Sequence, residues 1–207
     1  SITYPTQTNM PHFQAPNYAD ATPQIARADY AANGGDTYTD PSTNGSTWNS
    51  GGPNSLAEGQ SDEARANMSK IAAAATGIVF CGSQVSMADV RDGSSNTYFA
   101  GEKYLDPLHY ATGTGCGDNE SMYMGENGDI VRWGMYDPAS GNPAPYPPRQ
   151  DTPGYNICQP FGSAHASVFN VVLCDGSVRT VSYSIDPEIH RRMHNRKDHL
   201  PIDGGNL

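Results

Sequence analysis

The sequence predicts a single loop-rich domain of the mostly β or α+β class, and three observations carry that reading. Only 36% of the 207 residues are hydrophobic, and 22 Gly with 16 Pro require many turns and irregular connections. Residues 61–77 have the spacing of an amphipathic helix. Residues 165–184, "HASVFNVVLCDGSVRTVSYS", have the pattern of a β-hairpin. A chain of this length buries roughly 70% of its unfolded surface, which suffices to fold without metal staples. No internal repeat or linker divides it, so residues 1–207 are read as one domain.

The elements follow in order. Residues 1–60 are rich in Pro, Asn, Thr, Gly and Ser and read as loops, except for a short strand at "ARADYAA" (26–32) that stops at Asn33-Gly34-Gly35. In 61–104, Ser61 can cap the helix, Asp62 and Glu63 suit its first turn, and Gly77 can end it. Met68, Ile71, Ala72 and Ala75 share one face, expected to pack on a sheet. "GIVFCGSQV" (77–85) and "NTYFAGEKY" (96–104) read as strands, with a short helix or turn at 86–93 between them. Residues 105–160 form a long irregular insertion. In 161–207 the hairpin is followed by a helix at about 187–196, capped by Asp186 with Pro187 in its first turn.

Asp175-Gly176 predicts a two-residue type I′ turn that pairs Leu173 with Val178 and Phe169 with Ser182. Phe169, Val171, Leu173 and Val178 then share one face and Val168, Val172, Val181 and Tyr183 the other, as in a central strand pair covered on both faces. At roughly 3.3 Å per residue, the ten steps from His165 to Asp175 span up to about 33 Å. The two residues therefore mark opposite ends of a hairpin rather than one reactive centre. The same register sets His165 opposite Asp186, with an expected hydrogen bond joining the hairpin to the start of the terminal helix.

The net charge of −10 argues against nucleic acid as a partner, because a polyanion is repelled and no basic arm is present. The four cysteines, Cys81, Cys116, Cys158 and Cys174, have no C-x-x-C spacing, which excludes a zinc ribbon or thioredoxin motif. An even count in a loop-rich chain suggests disulfides and an oxidising compartment. Of the three pairings, shared context favours Cys116–Cys158 in the loops and Cys81–Cys174 in the apolar runs, with buried free thiols as the alternative for the second pair. Closing the 116–158 loop stabilises by about 4 kcal/mol in the chain-entropy account. No apolar run of 18 or more residues occurs, so no membrane span is expected within the chain. It starts at Ser1 without a signal peptide, so an export segment is expected upstream.

Several motifs taken together resemble a large paralogous family of prepilin-like proteins in planctomycete bacteria, catalogued as a domain of unknown function. They are "FGSAH" before the hairpin, nine residues between His165 and Asp175-Gly176, and "SVRTVSYSIDPEIHRRMHNR" after it. Upstream, in the same order, stand "ARADYAANGGD", "MADVRDGSSNTYFAGEKYL", "GDNESMYMGENGDIVRW" and "PPRQDTPGY", so the likeness covers about residues 26–203. The resemblance implies the globular head of a type IV pilin-like or type II secretion pseudopilin-like protein: α+β, with an antiparallel sheet packed on the upstream helix. Family members usually begin with a prepilin cleavage segment and a hydrophobic helix.

Asp118, Asn119, Glu120, Glu126 and Asp129 crowd one loop and form a candidate structural calcium site of the kind found in pseudopilin heads, without EF-hand spacing. The alternative is a polar loop that satisfies its own backbone. Trp133, Tyr136, Tyr146 and Tyr155, set among prolines, form a candidate sugar-binding surface, with ordinary packing as the alternative. His190 and His194 have zinc-compatible spacing, with His199 near, but Arg191, Arg192, Arg196 and Lys197 surround them, so a solvated face is expected. Ser163, His165 and Asp186 lack a G-x-S-x-G elbow, which argues against a hydrolase. The leading expectation is a non-enzymatic extracytoplasmic head meeting other pilin-like subunits or cell-surface components. A secreted glycan- or solute-binding module is the alternative.

Overall fold

The computed structural model of the chain describes residues 3–5, 24–48, 52–122, 125–134 and 146–202. Strands β1 (Thr3–Pro5) and β2 (Gln24–Ala26) form an antiparallel pair. Strand β3 (Tyr30–Gly35) runs through the Asn-Gly-Gly triplet that the sequence suggested would end it. Helices α1 (Leu56–Gly59) and α2 (Asp62–Ala74) come next, then β4 (Tyr98–Glu102) and β5 (Val131–Trp133). Short strands β6 (Arg149–Gln150) and β7 (Gly162–Ser163) pair in parallel, and β8 (Val168–Leu173), β9 (Val178–Ser182) and α3 (Pro187–His194) close the fold.

The main sheet has the order β5-β3-β4-β8-β9. It is antiparallel except for the parallel β3–β5 pair, which the 105–160 insertion supplies at one edge. This is the α+β single domain expected from the sequence. The helix on the sheet, however, is α3 and not the upstream one. Met193 of α3 is buried among Tyr98, Phe161, Phe169, Val171, Leu173 and Val181. The apolar face of α2, with Ala64, Ile71 and Ala75 buried, packs instead on Trp48 and Phe80 from irregular segments. Ser61 caps α2 as expected, its side chain accepting from Ala64 N.

The expected strand at 77–85 is irregular chain. Ile78 N and Val79 N both donate to the carbonyl of Asn33, so the segment crosses the end of β3 rather than extending a ladder. The crossing is backbone on backbone, since a side chain at Gly77 would collide with Gly34 and Gly35. A short apolar run reads as a strand by composition alone, but here Ile78 and Phe80 are buried without strand pairing.

The hairpin register is shifted by one residue from the expected one. Val172 pairs with Val178 and Phe169 with Val181, and Leu173 and Ser177 close a three-residue loop, Cys174-Asp175-Gly176. Only Gly176 takes the left-handed conformation, at φ 84°. Asp175 instead uses its carboxylate to accept from Ser177 N (2.8 Å) and Ser177 Oγ (2.6 Å). A one-residue slip exchanges faces. Val181 therefore joins Phe169, Val171 and Leu173 inside, whereas Val178 is 72% exposed. The hairpin ends in an edge strand, not in the centre of the sheet.

Candidate functional site

At the end of β4 the chain opens a cleft of about 350 Å³. Tyr30 of β3 stands beside Glu102 of β4 in register, and both line the cleft. Lys103 and Leu105 continue the β4 wall, Ser163 and His165 enter from β7 and the turn after it, and Tyr110, Asp118 and Asp151 come from the insertion. Tyr30 is 60% exposed, and the side chain of His165 is 57% exposed.

The polar groups are held in pairs. His165 Nε2 lies 3.5 Å from Glu102 Oε1, while Glu102 Oε2 accepts from Asn170 N at 2.7 Å. Tyr110 donates its hydroxyl proton to Asp151 Oδ2, and Asp151 Oδ1 accepts from Leu105 N at 2.9 Å. Burial raises the proton affinity of both Tyr110 and Asp151, and the Tyr110 hydroxyl, by donating to Asp151, partly offsets this on the acid. Lys103 is 3% exposed; its Nζ donates to Asp118 Oδ1 (2.8 Å) and to the carbonyls of Gly117 and Asp129. Arg27 grips the other Asp118 oxygen at 2.8 Å. The cleft thus presents fixed carboxylates, an imidazole and two tyrosine rings on a rigid floor. Such a wall suits contact with donors, cations and amphipathic side chains.

The sequence-predicted residues fall differently. His165 turns to Glu102, not to the start of α3. The carboxylate of Asp186 is already engaged, accepting from Glu188 N and Ile189 N as the α3 cap. Residues 164–167 leave the ladder in bends, so the register does not carry His165 to Asp186. The tie at the hairpin base is made by Tyr183, whose hydroxyl lies 3.1 Å from both Ser163 O and His165 O. Ser163 Oγ donates to Val168 O (3.0 Å), so Ser163, His165 and Asp186 do not assemble as a triad. Asp175-Gly176 lies at the far tip of the hairpin, as the strand length required.

Cys116 and Cys158 are disulfide-bonded across 42 residues, as the shared loop context suggested. Cys81 and Cys174 are free thiols, which corrects the second pairing. Burial pushes each up to about 11, so neither is a reactive thiolate.

The acidic loop closes on itself. Asp118 serves Arg27 and Lys103, Asp129 Oδ1 accepts from Glu120 N (2.9 Å), and Asn127 donates to Glu120. Glu120 is pushed up to about 8 by burial and by Asp129, and Glu126 to about 7 by burial and by Asp40. Among the described residues no group of three or more His, Cys, Asp or Glu is placed to hold a metal ion. Asn119 is half-buried in the same loop.

Among the described residues the candidate aromatic positions differ in exposure, Tyr155 being 41% exposed. Trp133 is buried beside Tyr38, with ring centroids 4.8 Å apart, and Tyr155 lies under the Arg149 guanidinium at 3.8 Å. Tyr146 is half-buried, and Tyr136 lies outside the described residues.

The largest departure concerns His190 and His194, which are fully buried rather than solvated. They form a chain with Asn33 and Tyr98. The orientation of Asn33 is fixed because Oδ1 must accept from Gly35 N (2.8 Å), leaving Nδ2 to donate to the carbonyls of Tyr98 (2.7 Å) and His194 (3.0 Å). His194 Nδ1 therefore carries a proton and donates to Asn33 Oδ1 at 3.0 Å. His194 Nε2 then accepts from His190 Nε2 (3.2 Å), and His190 Nδ1 accepts from the Tyr98 hydroxyl (3.3 Å). These tautomers are assigned from the network. Burial holds His190 down to about 3; burial and the neighbouring His190 lower His194 as well. The arrangement is a satisfied polar core that ties β3, β4 and α3 together.

Sequence reasoning missed Tyr30, Glu102, Tyr110, Asp151 and Asn33. Tyr30, Asn33, Glu102 and Asp151 stand in the motifs quoted above but carry no chemical signature there, Tyr110 stands outside them, and the cleft brings together residues from five separate stretches. The one local signal was the strand expected at 96–104, which contains Glu102.

No curated protein and no solved structure gave a significant match to this sequence. Residues 3–188 match the profile of a family described as "Protein of unknown function (DUF1559)". The match covers most of the chain, including both cleft walls, the Asn33 strand, the hairpin and the Asp186 cap, and the chain belongs to that family.

Proposed function

We propose that this chain is the non-enzymatic extracytoplasmic head of a pilin-like or pseudopilin-like protein. In this reading the cleft around Tyr30, Tyr110 and His165 meets neighbouring subunits or cell-surface components. The observation that carries it is the Cys116–Cys158 disulfide, which staples two loops of the insertion two residues from Asp118 in the cleft wall. Structural disulfides persist in oxidising compartments. A rim rigidified in this way, with exposed tyrosine beside a polar floor, has the composition of a contact surface. The prepilin-like resemblance of the motifs from 26 to 203 supplies the class of assembly. Among the described residues no helix is long and apolar enough to cross a membrane.

Expression from the complete gene tests the compartment. Unfolding without reductant should expose two alkylatable thiols, Cys81 and Cys174, and reductant should raise the number to all four cysteines. The head should also fractionate outside the cytoplasm. Four reactive thiols in a cytoplasmic protein would contradict the proposal.

A further inference from the structure

A second concavity, of about 420 Å³, opens beside α2, away from the cleft. Its floor is apolar: Met68 and Ala72 come from the helix, and Phe80 and Val85 from the irregular segment after it. Its lining carries two cations, Arg65, which is exposed and ion-paired with Asp62, and Arg196. Arg196 is 7% exposed and lies over the Phe80 ring, 5.5 Å from the centroid. Its Nη1 donates to Ala75 O (3.0 Å) and Gly77 O (2.5 Å). Its Nε is buried and has no hydrogen-bond partner among the described residues.

An unpaired buried donor is costly, more so on a charged group, and an oxygen acceptor at that edge would remove the cost. Burial already lowers the proton affinity of Arg196, with Asp89 opposing and Arg91 adding to the effect. The same two arginines depress Lys197 after its own burial, so cations gather here in a molecule of net charge −10. Asp89 is the acid among the lining residues, and its Oδ2 is engaged by Ser86 N (2.8 Å) and Ser86 Oγ (2.6 Å).

We propose that this groove binds a small carboxylate with an apolar body, the carboxylate at the Arg196 guanidinium and the body over Met68, Ala72, Phe80 and Val85. A carboxylate matches the planar guanidinium fork with two oxygens. A neutral amphiphile gains the apolar contact but not the charge-assisted bond, and an amine is repelled by both arginines. The volume lies within the usual range for small-molecule sites.

Octanoate is the probe, titrated into the isotopically labelled chain and followed by amide chemical shifts. Saturable shifts confined to residues 65–72, 80–89 and 196 are expected, with octanol and octylamine binding at least about tenfold more weakly. Arg65 is exposed, so Arg65→Glu should keep the fold and weaken octanoate several-fold; Ala72→Trp should block it. Octanol binding as tightly as octanoate would overturn the proposal. So would shifts scattered elsewhere, no saturable shift at millimolar octanoate, or unchanged octanoate binding in a folded Ala72→Trp variant.

Discussion

Asn33→Ala is expected to destabilise the fold by about 5 kcal/mol, read as a fall in the urea midpoint at unchanged slope. Asn33 is fully buried, and its amide makes four hydrogen bonds, to Gly35 N, Tyr98 O, His194 O and His194 Nδ1. Truncation strands all four partners in the interior, where each unsatisfied group costs about 1–3 kcal/mol, and leaves a cavity as well. Water entering that cavity can recover part of the loss, which keeps the total near the lower end of the sum. Asn33→Asp separates the terms. It preserves shape and the Oδ1 acceptor but points a second oxygen at the Tyr98 and His194 carbonyls, so it should be no better tolerated than alanine. A cost near 1 kcal/mol for either variant would mean that the network does not hold β3 to α3.

Acid is expected to act through the same core. His190 and His194 are neutral in the fold, because their tautomers are locked and their proton affinities are lowered by burial. In the unfolded chain each takes up a proton near pH 6.5. Both folded values are depressed, so the unfolded state binds more protons below 6.5. The stability is fully present above that pH and is lost as the pH falls. His190, held to about 3, removes about 1.4 kcal/mol per pH unit as the pH falls from 6.5 to that value, and His194 acts in the same direction. Glu120 and Glu126 work in the opposite sense. Their values are raised to about 8 and about 7, so down to the ordinary carboxylate range they stabilise as the pH falls, with a slope per group like that of a histidine, and the net acid loss emerges below about pH 4.5. Imidazole NMR isolates the histidine contribution: the His190 and His194 signals should not shift from pH 7.5 to the onset of unfolding. Titration of either near pH 6.5 in a folded protein would contradict a dry, locked pair.

Much of the local structure was legible in the sequence because its causes are local. Ser61 and Asp186 sit where caps must sit, Pro187 follows its cap, and both helices appear there. The run 96–104, read as a strand, contains β4, and the Asp-Gly pair placed the hairpin tip. What was not legible depends on partners distant in sequence. The hairpin register turned on whether Asp175 would adopt a left-handed conformation or accept from Ser177, and the second outcome moved Val178 to solvent and Val181 to the core. The arginines around His190 and His194 suggested a wet face. Yet Arg191 is drawn to Asp36, Glu188 and Asp198, while the imidazoles on the neighbouring face go inward to Asn33 and Tyr98. His165 was legible as a marker of the family but not as a cleft residue, because Glu102, its partner, is 63 positions earlier in the numbering. Cys116 and Cys158 could be paired by shared loop context, whereas Cys81 and Cys174 shared only apolarity, which does not bring two thiols together.

If the cleft is the contact surface of an assembled, exported head, its mouth must touch neighbouring molecules. Tyr30, 60% exposed at the cleft mouth, is the position to interrogate. With a photo-crosslinking phenylalanine analogue at residue 30, in protein expressed from its complete gene in its native cells, irradiation should yield discrete adducts with pilin-like subunits or surface components. The same analogue at exposed Leu56, outside the cleft, should yield none. Absence of adducts from residue 30 in correctly exported, disulfide-bonded protein, or equal adducts from both positions, would contradict it.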